Sequence, residues 1–272
     1  MENSVNVNLE TDVVTGETLA HFVTSILEFL LYQRNQIPFV CKTFKYLISK
    51  WKNNDTNEDV VPSNFQLERQ KDMAKQTLDC IKLMGEVISR GFQQSDITRV
   101  RFLFGSTAIL PKEAYTIVVP SISRTHSYEH HKLQTHVLNQ ALISLLTSDC
   151  LYNTFSTNLC PTNVFLELKM PDHDANGWEQ VFSTDLCELP SSCKHIVINL
   201  IHVMPADYVQ TNCCKDLMIF EDFANLSVEK KSSEKMDSTT QQNTTPQVGW
   251  WEASTIVRGF KQTAVKGNTI WQ

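Results

Sequence analysis

The sequence predicts an α+β domain in which three main helices pack on a largely antiparallel sheet, completed by a strand near the C-terminus. Three observations carry this. Apolar residues recur at intervals of three and four over roughly 17–36, 65–92 and 130–151, the stripe of a helix lying on a core. Short runs rich in β-branched and aromatic residues, bounded by Gly and Pro, follow the second and third of these stretches. Such a run returns at Trp250 after a long polar stretch. Helices and strands in separate blocks, rather than in strict alternation, make a layered α+β fold.

Residues 1–16 are polar and acidic and read as a flexible arm. In helix A, over 17–36, Leu19, Phe22, Val23, Ile26, Leu27, Leu30 and Leu31 form the stripe, and Pro38 ends it by removing a donor and restricting Ile37. A second helical piece runs from Phe39 to Trp51 with Phe44, Leu47 and Ile48 on one side. Residues 52–63, rich in Asn and Asp, form a loop. Helix B carries Ala74, Leu78, Ile81, Met84, Ile88 and Phe92. Strands follow at Val100 to Phe104 and Tyr115 to Val119. Helix C shows Val137, Leu138, Ala141, Leu142, Leu145 and Leu146 to the core. Strands return at 164–169, 181–189 and 195–203. The last is almost entirely apolar and is expected to lie centrally.

From residue 205 the pattern fails. Residues 227–247 contain almost no large apolar side chain, a composition that cannot offset the entropy of ordering. The chain therefore divides into the arm at 1–16, a core at 17–204, a largely disordered insertion at 205–248, a core strand at 249–262 and a tail at 263–272. The island Leu217-Met218-Ile219-Phe220 with Phe223 reads as a piece of edge strand or a docking segment.

Bulk properties exclude several functions. A net charge of -6 argues against nucleic-acid binding, which needs clustered Lys and Arg to displace counterions. No apolar run reaches the ~20 residues that span a bilayer. With 8 glycines in 272 residues, well below the usual ~7%, the chain contains neither a Walker loop nor Gly-x-Gly-x-x-Gly. Its 8 cysteines show no Cys-x-x-Cys spacing, which points to reduced, buried thiols in the cytoplasm or nucleus. Cys187, Cys193 and His195 could supply three zinc ligands, but the strand-forming residues around them favour structural roles. His126, His130, His131 and His136 crowd the start of helix C without the Glu of a metalloprotease motif, and read as a solvated helix entrance. Asp172, His173 and Asp174 sit in a polar turn. No nucleophile stands beside a base, so no catalytic residue, metal or cofactor is expected; a hydrolase using a His and an Asp lacks any motif.

Two positions break the amphipathic rule. Ile143 lies opposite the centre of the helix C stripe, flanked by Asn139, Gln140, Ser144 and Thr147. Gln33 falls in line with Phe22, Ile26 and Leu30, so its amide needs a partner: the fraying helix end or another protein.

The helix end Leu30-Leu31-Tyr32-Gln33-Arg34-Asn35-Gln36-Ile37-Pro38 resembles the signature of the HORMA family of protein-recognition domains. Arg99 to Ser106 running into Ala108 to Tyr115, and Trp250-Trp251-Glu252-Ala253-Ser254 followed by Val257-Arg258-Gly259-Phe260-Lys261, are similar to the Comet family. These are HORMA-like partners of the spindle-checkpoint protein Mad-two (Mad2). The resemblance is scattered over most of residues 20–262. It implies a HORMA-like fold with a C-terminal belt strand and a non-enzymatic adaptor that binds the closed conformer of Mad2. The implied contacts are the helix A end at Tyr32, Gln33 and Arg34, and helix C at Leu142 or Ile143 with Leu146. Also implied are presentation of Mad2 to an AAA+ remodelling ATPase of the pachytene-checkpoint type, silencing of the checkpoint, and residence in nucleus and cytoplasm with spindle or kinetochore association. Trp250, Trp251, Val257 and Phe260 are expected to dock the tail on the chain's own sheet. In the competing reading, a different HORMA module clasps a peptide ligand under a mobile C-terminal belt.

Overall fold

A computed structural model describes residues 3–54, 65–124, 126, 131, 135–172, 178–184, 188–204, 248–265 and 267–271. The sequence places its insertion almost wholly outside these residues, and the Leu217 to Phe223 island, His130, His173, Asp174 and Cys187 lie outside them too.

Among the described residues one eight-stranded sheet carries the fold. Its strands are β1 (Asn3–Glu10), β2 (Arg99–Gly105), β3 (Pro111–Val118), β4 (Asn163–Pro171), β5 (Val181–Thr184), β6 (Lys194–Val203), β7 (Val248–Ala253) and β8 (Val257–Arg258). They are ordered β1-β6-β3-β2-β4-β7-β5, with β8 beside β4. Neighbours are antiparallel except β6, which runs parallel to both β1 and β3. This explains its apolar sequence, although it lies one place from the sheet's edge and not at its middle. The helices are α1 (Gly16–Gln33), α2 (Cys41–Asn54), α3 (Phe65–Gln94), α4 (Thr135–Leu146) and α5 (Asp149–Phe155).

The predicted α+β class and largely antiparallel sheet hold, with two corrections. The N-terminal arm is a strand: Val5, Val7 and Leu9 are buried and alternate with exposed Ser4, Asn6 and Asn8, while β1 pairs along its whole length with β6. Helix C breaks near Thr147 and Ser148, and α5 starts anew behind the N-cap Ser148, whose backbone is extended. Leu146, assigned to the core by a single helical wheel, is 46% exposed.

Alternation along β2 sorts the two faces of the sheet. Val100, Phe102 and Phe104 join the main core with Phe22, Ile26 and Leu30 of α1 and Ile81, Met84 and Ile88 of α3. Burying each such side chain contributes about 1.5–3 kcal/mol. The other face holds a smaller cluster of Leu103, Ala114 and Phe165 beside a buried polar network. There Arg101 Nη1 donates to Glu167 Oε2 at 3.1 Å and Nε to Thr116 Oγ1 at 3.3 Å, and the guanidinium lies 3.8 Å from the Trp250 ring centroid. Burial pushes Glu167 up to about 7 despite the opposing Arg101 cation.

Candidate partner-binding site

Thr15 caps the start of α1, its hydroxyl accepting from the Thr18 N–H at 3.2 Å. At the far end, Arg34 N donates to Leu30 O and Gln36 N to Leu31 O, while Asn35 takes the left-handed conformation at φ 56° that closes a helix. Successive residues at this end point in different directions, which divides the Tyr-Gln-Arg signature. Tyr32 is 41% exposed and Gln33 half-exposed, while Arg34 is fully buried.

Arg34 is a correction to the expected partner contacts. Its Nε and Nη2 reach both oxygens of Glu113 on β3 at 2.8 and 2.6 Å, Nη1 donates to Thr157 O at 2.9 Å, and the guanidinium lies 5.7 Å from the Phe155 ring centroid. Tyr115 donates its hydroxyl to Glu113 Oε2 at 2.8 Å, and burial with the adjacent Glu113 charge pushes the phenol far above its ordinary range. Removing one partner of such a bidentate pair strands a buried charge, at about 3–5 kcal/mol. The pair therefore ties α1 to β3 and to the end of α5, and leaves Tyr32 and Gln33 to face outward.

The amide role expected of Gln33 falls to Gln36. Fully buried, Gln36 donates Nε2–H to Arg34 O at 2.6 Å, accepts from Thr162 N at 2.7 Å, and receives Phe260 N on its backbone carbonyl at 2.7 Å. A Cβ on Gly259 would stand 2.4 Å from Gln36 Oε1, so only glycine lets the tail pass this close. One polar residue thus joins the helix end, the start of β4 and the C-terminal tail. Its signal was its place beside Pro38, where the chain must turn while keeping its backbone groups satisfied.

Helix α4 supplies the second patch. Val137, Ala141 and Leu145 are buried, Leu142 is half-buried against the core, and Ile143 and Leu146 are 57% and 46% exposed. Of the two candidates Leu142 and Ile143, Ile143 is the more exposed. Tyr152 on α5, outside the predicted contacts, is 69% exposed; it lay just beyond the predicted end of helix C. Helix α1 touches α4, α4 touches α5, and Phe29 meets Phe155 edge-on at 5.9 Å. Tyr32, Gln33, Ile143, Leu146 and Tyr152 are therefore carried by three helices held together by packing and the Arg34 pair.

The tail residues lie on the chain's own sheet. Strand β7 pairs with β4 and β5, and β8 with β4. Trp250, Val257 and Phe260 are buried and Trp251 half-buried. A recess of about 650 Å³ lies beside Tyr32 and Gln33, and its walls include Pro161, Phe260 and Lys261.

Of the residues weighed for chemistry, His131 is buried and its Nδ1 meets Asp12 Oδ2 at 2.5 Å, with His126 Nδ1 at 3.2 Å from its Nε2. Burial opposes ionisation of Asp12, but the bonds from His131 and the Val13 N–H leave its carboxyl below the usual range. This ties the β1–α1 junction to the segment entering α4, so His131 is no solvated entrance residue. His195 Nε2 lies 2.9 Å from Thr116 Oγ1, and burial together with the nearby Glu113 pushes the Cys193 thiol up to about 11. Among the described residues no group of three or more His, Cys, Asp or Glu is arranged to hold a metal.

The model of the p31comet family, described as Mad1 and Cdc20-bound-Mad2 binding, matches residues 3–173. Comparison with curated proteins gives no match. The matched span contains β1 to β4 and α1 to α5, and with them every exposed residue of the α1–α4–α5 surface.

Proposed function

The chain belongs to the p31comet family, whose description is Mad1 and Cdc20-bound-Mad2 binding, and from that premise we propose that it is an adaptor for the closed conformer of Mad2. The contact surface is the outward end of α1 together with the outer side of α4. One observation supports this most directly. Ile143 and Leu146 are apolar side chains left 57% and 46% exposed on a helix that touches α1, whose end carries the exposed Tyr32 and the half-exposed Gln33. Grouped exposed apolar residues with an aromatic neighbour are the composition of a protein-recognition patch.

As part of the same reading, the adaptor performs no chemistry of its own. It presents Mad2 to an AAA+ remodelling ATPase of the pachytene-checkpoint type, so silencing the spindle checkpoint, and works in nucleus and cytoplasm with access to spindle or kinetochore. The internal tail supports the adaptor reading over the peptide-clasping one. Strands β7 and β8 occupy the edge of β4 with the chain's own residues, and Val257 and Phe260 are buried there.

The test is binding of the intact chain to Mad2 locked open and locked closed. The parent is expected to bind the closed form alone. The triple variant Gln33→Ala, Ile143→Asp, Leu146→Asp should bind at least about 100-fold more weakly while keeping its circular dichroism, since losing roughly 3 kcal/mol of interface contact has that effect. A folded triple variant that binds as well as the parent would move the surface elsewhere. Catalysed reopening of Mad2 by the ATPase, measured with and without the chain, tests the second step.

A further inference from the structure

We propose that the C-terminal segment beyond β8 is a working wall of the Mad2-binding site, and that Lys261 on it receives an acidic side chain of the partner; this rests on the reading above. The recess beside Tyr32 and Gln33 is built from two separate parts of the chain. One wall is the α1 end with Pro38 and Pro161, and the other is Phe260, Lys261 and Gln262. Without the tail the recess would be an open shelf.

The tail is fixed by a series of specific contacts. Gly259 N donates to Thr162 O at 2.8 Å and Phe260 N to Gln36 O at 2.7 Å. Next, the Gln70 side chain on α3 pairs with the backbone of Thr263 in both directions, Nε2–H to Thr263 O at 3.0 Å and Thr263 N–H to Gln70 Oε1 at 2.9 Å. Finally Trp271 stacks on Trp51 of α2 at 5.0 Å and meets Phe39 and Phe44 edge-on at 5.2 and 5.9 Å, with Ile270 buried beside it. Trp271, packed against Trp51 of α2, anchors the preceding polar segment in place.

The chemistry of the recess selects its occupant. Among the described residues that line it, Lys261 alone is charged, in a chain whose net charge is -6, and it is exposed. Pro38 and Pro161 offer apolar surface for a side-chain stem, and the amides of Gln33 and Asn158 offer donors. An aliphatic stem ending in a carboxylate meets all of these. A basic or wholly apolar group does not.

The experiment titrates closed Mad2 against the full-length chain and two variants, with amide exchange on each. Lys261→Glu leaves every anchoring contact in place. It is expected to weaken binding by about tenfold or more, with unchanged melting and a smaller loss of affinity on adding salt than the parent shows. Trp271→Ala is expected to speed exchange at Thr263 and weaken binding to a similar degree. Binding by Lys261→Glu equal to or tighter than the parent means a neutral or basic occupant and overturns the proposal, whether or not Trp271→Ala folds. Full binding by Trp271→Ala despite fast exchange at Thr263 overturns the role of the tail. If the parent itself does not bind closed Mad2, the partner reading fails and this proposal fails with it.

Discussion

Glu167 shows how a single residue on the sheet's second face sets a pH response. Its carboxyl is buried between Arg101 and Glu252, and burial raises it to about 7 against the pull of Arg101. A carboxyl that binds its proton more tightly in the fold than in the unfolded chain adds stability at low pH, and that contribution is lost as the pH rises through the folded value. The window here runs from the ordinary value of 4.5 to about 7. Asp12, lowered, works in the opposite sense, adding stability that is lost on acidification. In Glu167→Gln the acceptor for Arg101 remains and the proton does not. The stability of the parent relative to this variant should therefore decline between about pH 5 and about pH 8, read from urea midpoints at each pH. A difference that stays constant across that range would mean Glu167 is ionised throughout. None of this was visible in the sequence, where Glu167 stands in an ordinary strand between Leu166 and Leu168. Its partner Arg101 is also met by Trp250, 83 positions later by numbering than Glu167.

At the scale of elements, the helices were legible because burying a stripe against one core imposes a period that survives in a single sequence. The stripes of α1 and α3 are buried position by position as the pattern predicts. Strand β1 was also written in the sequence, in the strict alternation Ser4-Val5-Asn6-Val7-Asn8-Leu9, but its polar half reads as an arm until β6 is present to pair with it. Its contribution can be measured. Deleting residues 1–10 removes the buried Val5, Val7 and Leu9, each worth about 1.5–3 kcal/mol, and uncovers the edge of β6. Stability to urea should fall by several kcal/mol and the deleted protein should associate at high concentration; an unchanged midpoint would mean that β1 is dispensable. The break between α4 and α5 was not legible, since the apolar stripe runs on through Leu145 to Leu151 and only Ser148, as an N-cap, marks the turn. That break decides which side chains stay exposed.

Strand β4 pairs with β7 and β8, which follow it only after β5, β6 and the long polar stretch, and Trp271 beyond them returns to α2. Truncation after Val248 should therefore remove Trp250, Trp251, Val257, Phe260 and Trp271 from the core and leave an apolar groove along β4. The expected outcome is a loss of several kcal/mol and aggregation, seen in thermal melts and light scattering; a truncated chain as stable as the parent would mean the tail adds nothing to the core. By itself the sequence determined the α+β class, the helix stripes, the family resemblance and the residues at the end of α1, because periodicity and short motifs are local and each residue carries its own share of them. Tertiary structure alone decided that Arg34 turns inward to Glu113 while Tyr32 and Gln33 turn out, that Ile143 is more exposed than Leu142, and that Gln36 joins three distant segments. The first and the last of these depend on groups far apart in the chain finding one another, 79 positions for Arg34 and Glu113 and 126 for Gln36 and Thr162. Burial and pairing at that separation are properties of the closed surface, and no local pattern encodes them.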